Sequence, residues 1–397
     1  MRSLEAGIKI ILGVDAIFHP LTGIGRYAWE LARGLQNAEG IAGIRYFALG
    51  RWIRHPEALL AQPDAGRRPV RTLFRTLAVR RRLARSSLAV WAYSRVSPLL
   101  YWHRLRHSRD YLFHSPNYFL PPFPGPSVAT FHDLSIFRYP KFHPPARVEL
   151  MRREIPKTLR RAAHLITDSE AIRREVIEFF SWPAERVTAV PLGVDAAFRP
   201  RAAAEARPVL RRYGLVPGDY ALCVATIEPR KNIGNLLEAY ARLPVTLRDR
   251  CPLVLAGDRG WHSEPLHERI EQVARAGWLK YLGYVPQEDL PALFAGARGF
   301  LLPSLYEGFG LPVLEAMASG IPVLTSNRSS LPEVAQGTAL LVEPEDVPVM
   351  TESIRVVLED EGWRYAAVNR SRDAAARYSW ETTVRNTVAI YRKVLAA

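Results

Sequence analysis

Cysteine occurs at only two of the 397 positions, Cys223 and Cys251, both inside apolar runs. Two such thiols cannot build a disulfide scaffold or a structural zinc site, and they suit a reducing compartment. Lysine is scarce too, supplying six of the 54 basic residues. No stretch holds 18 uninterrupted apolar residues, so no membrane span is expected. The N-terminal apolar run is broken by Lys9 and Asp15 and lacks a small-residue cleavage site, which argues against a secretory signal. The expectation is a cytosolic protein that remains free to lie on a membrane surface.

What is present is globular. Hydrophobic residues make up 48% and aromatics 10%, enough for sizeable cores and too much for a disordered chain. At roughly 150 residues per domain, the length predicts two to three domains. Short apolar runs at 8–14, 44–49, 111–115, 127–133, 164–169 and 187–194 read as strands, most of them separated by helix-length segments. A second series follows at 220–226, 252–257, 279–284, 299–304, 322–326 and 339–343. This alternation predicts an α/β fold with doubly wound parallel sheets. Between the series, the Pro-, Ala- and Arg-rich 198–208 reads as a hinge. The expected units are therefore 1–197 and 198–378, with 379–397 a helix returning to the first unit. After the first strand, Gly23 and Gly25 suggest a loop whose backbone can approach a ligand closely.

The densest signal is Tyr306 to Val323, which contains E-G-F-G-L-P and ends in S-G-I-P-V. It reads as a strand end, a glycine turn and a helix that Pro312 opens and Gly320 closes. The amides of Gly308, Phe309, Gly310 and Leu311 would then face a ligand at the helix start, favouring an anion or a hydroxyl-rich group. Glu307 and Glu315 could flank the same ligand, although an ordinary strand–turn–helix would look similar. Arg230 and Lys231 lie between a strand and a helix, where two cations oppose the helix dipole unless an anion offsets them. A diphosphate meets that requirement. His132 ends the 127–133 strand, at the carboxyl edge where open α/β sheets bind ligands.

These motifs together resemble glycosyltransferase family 4, the retaining sugar transferases of GT-B fold. The resemblance is strongest over 220–345 and absent over 50–108. It implies two doubly wound Rossmann-like domains facing an interdomain cleft, the first binding acceptor and the second a nucleotide sugar. It assigns Glu315 to ribose, and Glu307 with the 308–311 amides to the donor sugar and phosphates. Arg230 and Lys231 would stabilise the departing diphosphate, His132 would contact the transferred sugar, and main chain at Tyr284 and Val285 would meet the nucleobase. Gly23 and Gly25 would approach the diphosphate or the acceptor. Many family members carry an arginine where this chain has Thr226. The Asp-x-Asp triplet that holds metal in the other major transferase fold is missing, so neither metal nor cofactor is expected, only the nucleotide-sugar co-substrate. The form of the basic motif points by analogy to GDP-mannose and cell-surface polysaccharide synthesis. A sugar 2-epimerase of the same fold and a non-catalytic sugar-nucleotide-binding membrane module are the alternatives.

Segment 51–110 holds fourteen Arg and no Lys against Glu57, Asp64 and Asp110, so it carries +11 of the +15 net charge. Apolar residues recur through it at spacings of three and four. Such basic amphipathic patterning with Trp reads as a membrane-surface element, here through Arg80, Arg81, Arg82, Arg85, Trp91 and Trp102. A solvated helical face is the plainer alternative, and no nucleic-acid-binding pattern accompanies the charge. The expected partners are a nucleotide-sugar donor, a glycan or polyprenyl-diphosphate-linked acceptor, and the anionic inner face of the plasma membrane.

Overall fold

The computed structural model describes residues 7–17, 21, 23–60, 99–261 and 263–397. Two sheets organise them. The first has strand order β3-β2-β1-β4-β5-β6-β7, built from Ile8–Gly13 (β1), Ile41–Ala48 (β2), Arg51–Ile53 (β3), Leu112–Ser115 (β4), Ser127–Phe131 (β5), His164–Thr167 (β6) and Val187–Ala189 (β7). Every pairing in it is parallel except β2 with β3. The second sheet runs β10-β9-β8-β11-β12-β13 and is wholly parallel, from Ala221–Val224 (β8), Leu253–Ala256 (β9), Leu279–Tyr281 (β10), Gly299–Leu302 (β11), Val323–Ser326 (β12) and Leu340–Val342 (β13).

Each apolar run singled out in the sequence forms a strand, because helices cover both sheet faces and the strands are apolar without alternation. β4, β5, β6, β9, β11 and β12 are buried at every residue. Strand order reverses between β1 and β4 in one sheet and between β8 and β11 in the other. Crevices at such switch points, beyond the strands' carboxyl ends, are where ligands bind in this architecture.

Three local expectations are corrected. The expected hinge at 198–208 instead starts the helix Ala203–Arg212, which buries Ala206 and Leu210. That apolar pair anchors a segment whose composition reads as a breaker. Gly23 and Gly25 do not form a loop but lie in the first turn of the helix Gly23–Leu35. The expected helical insertion at 51–110 starts later than its first residues, since Arg51–Ile53 is an antiparallel edge strand of the first sheet and Pro56–Leu60 a short 3-10 helix, while 99–105 is helical as the apolar spacing suggests. Arg80, Arg81, Arg82, Arg85 and Trp91 lie outside the described residues. Trp102 is described and exposed, beside the more exposed Leu99 and Leu100.

The final helix, Trp380–Ala396, packs on Gly23–Leu35. Gly34 makes this approach possible, since a Cβ there would lie 2.5 Å from Val384. A buried polar chain fixes the contact. Tyr391 Oη lies 2.6 Å from His114 Nδ1, His114 Nε2 is 2.9 Å from Thr130 Oγ1, and that hydroxyl is 2.9 Å from Tyr27 Oη. Burial pushes the His114 imidazole down to about 3, so the ring is neutral and offers one donor and one acceptor to its two hydroxyl partners.

Candidate functional site

Loops from both switch points meet across the cleft. In the first unit, β4, β5 and β6 are neighbours, and the residues beyond their carboxyl ends converge. His132 Nδ1 lies 2.7 Å from Asp168 Oδ2, and His132 Nε2 lies 2.7 Å from the Pro116 carbonyl oxygen. The carbonyl can only accept, so Nε2 carries a proton; the carboxylate then draws a second proton onto Nδ1. Burial opposes the charge, but Asp168 and the Pro116 carbonyl outweigh it and raise the His132 pKa above its ordinary value. With both nitrogens engaged inside the protein, the ring has no free base to offer. What His132 presents across the cleft is its main chain. Its carbonyl approaches Gly308 so closely that a Cβ there would lie 1.9 Å from the oxygen, which is why only glycine fits.

In the second unit, the β8 and β11 loops build a buried charge cluster. Lys231 Nζ donates to Glu307 Oε1 at 2.6 Å, and Ser304 Oγ donates to the same oxygen at 2.7 Å. Arg230 donates to Glu307 Oε2 at 3.1 Å, to the Tyr306 carbonyl at 2.8 Å and to Glu228 Oε1 at 2.7 Å. The side chains of Arg230, Lys231 and Glu307 are 14%, 12% and 8% exposed. Burial pushes the Glu307 carboxyl up, but Lys231 and Arg230 outweigh this and hold it below the ordinary glutamate value. The anion expected between the two cations is thus supplied by Glu228 and Glu307. The cations also sit on a 3-10 turn, Pro229–Lys231, ahead of a helix that starts at Ile233.

The glycine turn is held by its carbonyls. Ser330 Oγ donates to the Glu307 and Phe309 carbonyls at 2.9 and 2.8 Å, and Ser169 Oγ donates to the Gly308 carbonyl at 2.8 Å. The amides of 308–311 have no acceptor among the described residues, so they remain available to an anion at the start of the helix Leu311–Ala318. Gly310 caps that helix at φ 103°, a left-handed conformation that disfavours side chains, and Pro312 is its second residue rather than its first. Ser169 also caps Glu170–Phe180 through the Ile172 amide, so the residue that reaches across the cleft to Gly308 is fixed at a helix start. Gly23 faces open space, with nothing within 4 Å of a Cβ built there. Tyr284 is exposed and Val285 buried, just beyond Gly283 at φ 65°.

Glu315 lies on the helix Leu311–Ala318 and reaches the first unit. Arg26 donates to its Oε1 at 3.0 Å and to Asp195 Oδ2 at 3.2 Å. Burial pushes the Glu315 carboxyl up to about 7, against the opposing pull of Arg26. Sequence reasoning gave no role to Arg26, Asp168, Ser304 or Glu228. Arg26 directly follows the flagged glycines, and Glu228 and Ser304 lie two and three residues before Arg230 and Glu307, so their places beside flagged residues were the available signal, while Asp168 joins His132 only through the fold. Other bonds also tie the units together. Tyr306 Oη donates to Glu175 at 2.6 Å and accepts from the Leu134 amide at 3.0 Å, and the Glu333 carboxylate accepts from the Glu170 and Ala171 amides. Among the described residues, no group of three or more His, Cys, Asp or Glu is placed to hold a metal ion, and no helix is long and apolar enough to cross a membrane.

Comparison with known proteins agrees with this architecture. Residues 21–198 match the family described as Glycosyltransferase Family 4, and residues 216–377 match Glycosyl transferases group 1. The chain is 41% identical over 385 residues to the O-antigen chain mannosyltransferase B of Escherichia coli, covering 97% of this chain and 100% of that protein. Sucrose-phosphate synthase from Thermosynechococcus elongatus superposes with a TM-score of 0.71 at 23% identity, over 98% of this chain and 99% of that one. WaaG, a glycosyltransferase involved in lipopolysaccharide biosynthesis, gives 0.68 at 16% identity, over 96% and 99%. Two Rossmann-like sheets with their switch points face to face, and an end-to-end sequence match, place the chain in glycosyltransferase family 4 with the GT-B fold.

Proposed function

We propose that this enzyme transfers mannose, with retention of configuration, from GDP-mannose to a lipid-linked or growing glycan in cell-surface polysaccharide synthesis. The observation that carries the choice of sugar is the end-to-end similarity to an O-antigen chain mannosyltransferase. As the bond from the sugar to the diphosphate breaks, negative charge grows on the leaving phosphate. Lys231, Arg230 and the 308–311 amides are the preorganised groups that stabilise it, without help from a metal or cofactor. Glu307 and the His132 main chain position the sugar, and the departing phosphate takes the acceptor proton. A panel of GDP-, UDP- and ADP-sugars with a mannan-type acceptor tests this reading. GDP-mannose should turn over at least about tenfold faster than any other donor, on the scale of one recognition contact, and NMR should show a product with the donor's anomeric configuration. Faster turnover of a UDP-sugar, or an inverted product, would overturn the reading.

Glu315 predicts a pH dependence. Its carboxylate is the form that accepts two ribose hydroxyls, and at about 7 its pKa lies well above the unfolded glutamate value. Ionisation is therefore incomplete at pH 6 and nearly complete at pH 8. GDP affinity should rise about tenfold over that interval, beyond whatever the diphosphate's own titration contributes. Calorimetry on Glu315→Gln measures that contribution and should show weaker binding without the extra rise. Identical pH profiles for the two proteins would remove Glu315 from ribose recognition.

Membrane attachment belongs to the same proposal, because a lipid-linked acceptor is confined to a surface. The +11 charge of 51–110 and the exposed Leu99, Leu100 and Trp102 support it. A basic side chain near an anionic surface contributes about 1 kcal/mol. Reversing Arg80, Arg81, Arg82 and Arg85 to Glu should therefore release the protein from anionic liposomes in sedimentation. Undiminished binding would return the stretch to a solvated helical face.

A further inference from the structure

Arg26 is where the two units and two of the nucleotide motifs converge. It lies in the first turn of the helix Gly23–Leu35, so the first unit fixes its backbone beside the cleft. Its side chain is 14% exposed and donates to Glu315 Oε1 at 3.0 Å and to Asp195 Oδ2 at 3.2 Å. In the amide orientation that its neighbours require, Gln287 Oε1 accepts from both Arg26 amino nitrogens, at 2.5 and 3.1 Å. The ring of Phe198, in the chain that joins the units, lies 5.7 Å from the guanidinium carbon. The other carboxylate whose charge reaches Arg26 is Glu30 on the same helix, itself bonded to Arg33.

Two of these partners belong to the second unit's nucleotide motifs. Glu315 is the residue assigned to ribose, and Gln287 closely follows Tyr284 and Val285, whose main chain is assigned to the base. A guanidinium is a planar fork whose donors point in fixed directions, so it can hold several acceptors in one arrangement. We infer that Arg26 is a positioning residue of the nucleotide site: it reaches over from the first unit, holds the Glu315 carboxylate in place for ribose and ties down the loop that meets the base. Nucleotide affinity then depends on the two units facing each other. The inference rests on the ribose assignment above and deepens it.

The bond to Arg26 leaves Glu315 able to receive ribose. Arg26 takes one site on Oε1, and Oε2 accepts no hydrogen bond among the described residues, so lone pairs remain for two hydroxyls. Charge works in the same direction. Burial and Asp195 push the Glu315 carboxyl up, and Arg26 is the cation that opposes them. Without Arg26 the carboxyl should rise further from about 7, since an opposite charge at this distance lowers a carboxyl pKa by roughly 1–3. Less of the carboxylate would then be present at pH 7.

Calorimetry with GDP on the full chain at pH 7 and pH 9 tests the inference. Arg26→Ala should bind GDP at least about tenfold more weakly at pH 7, the scale of one hydrogen bond to a charged group, and the loss should shrink at pH 9. In a Glu315→Gln background the same change should cost less than about threefold, because residues that act as a unit are not additive. Arg26→Lys keeps the charge but not the fork, so it should recover part of the affinity. It carries the test should Arg26→Ala fail to fold: a threefold or greater loss that disappears in the Glu315→Gln background supports the role. A purely structural arginine would lose affinity equally at both pH values and in both backgrounds, which overturns the inference. Tighter GDP binding by Arg26→Ala also overturns it, since Arg26 would then compete with ribose. If Glu315→Gln alone binds GDP as wild type does, the ribose assignment falls and takes the inference with it. If the donor proves to be a UDP-sugar, the same series with UDP should give these results, because both nucleotides carry ribose; the donor assignment then fails and the positioning role stands.

Discussion

Lys231→Ala should lose about 10²-fold or more in kcat, the scale of removing one preorganised electrostatic stabiliser, and kcat/KM should fall by a similar factor. The ammonium is 12% exposed and 2.6 Å from Glu307, so the fold rather than solvent fixes its position. Before reaction, the Glu307 carboxylate balances it. On the proposed mechanism, when the sugar–phosphate bond breaks, the new charge on the leaving group meets a cation that needs no reorganisation. An interaction made mainly in the transition state lowers kcat and kcat/KM together. Lys231→Arg should recover only part of the loss, since a planar guanidinium does not replace a compact ammonium between two carboxylate-lined loops. Steady-state kinetics on the folded variants decide this. A near wild-type kcat for Lys231→Ala would leave Arg230 to carry the role.

Glu307→Ala should lose nearly all transfer activity and destabilise the protein by about 3–5 kcal/mol, as when one partner of a buried charge pair is removed. Arg230 and Lys231 would both stay buried, Arg230 with Glu228 and the charge of Asp133 to compensate it and Lys231 without its bonded carboxylate, and Ser304 Oγ would lose its acceptor. Glu307→Gln keeps an oxygen for Ser304 and separates loss of charge from loss of shape. The pH dependence has a definite sign. The folded Glu307 pKa lies below the unfolded value, so its stabilisation is complete above about pH 4.3 and is lost as pH falls through the folded value. Denaturant titration should show a large gap between wild type and variant at pH 7 that narrows in acid. A gap below about 1 kcal/mol at neutral pH would mean that the cluster's charges are not effectively buried.

The cluster also shows where sequence reasoning reaches its limit. The string from Tyr306 to Val323 announced its turn and helix because glycines, Pro312 and a continuous apolar strand are local signals. Gly320 closes that helix at φ 73°, as its position suggests. The charge balance around Arg230 was not visible, since Glu307 lies 77 residues away in sequence. A diphosphate and a pair of carboxylates satisfy the same two cations, and composition cannot tell which is present before the substrate arrives. The helix that occupies 203–208, in a segment read as a hinge, was hidden for a related reason. Pro208 weakens a helix locally, but burial of Ala206 and Leu210 against the rest of the second unit forms one anyway.

Taken alone, the sequence determined the alternation of strands and helices, the division into two series, and the motif residues at the strand ends. Each depends on neighbours a few positions apart: a buried parallel strand is a short apolar run, and a turn needs its glycine. The tertiary structure decided which of those residues meet. Only strand order brings Pro116, His132 and Asp168 together and locks the imidazole from both sides, and only the facing of two switch points sets Arg26 against Glu315, 289 residues apart. Parallel sheets pair strands that are distant along the chain, so side chains at their carboxyl ends converge through crossovers that leave no local trace in the sequence.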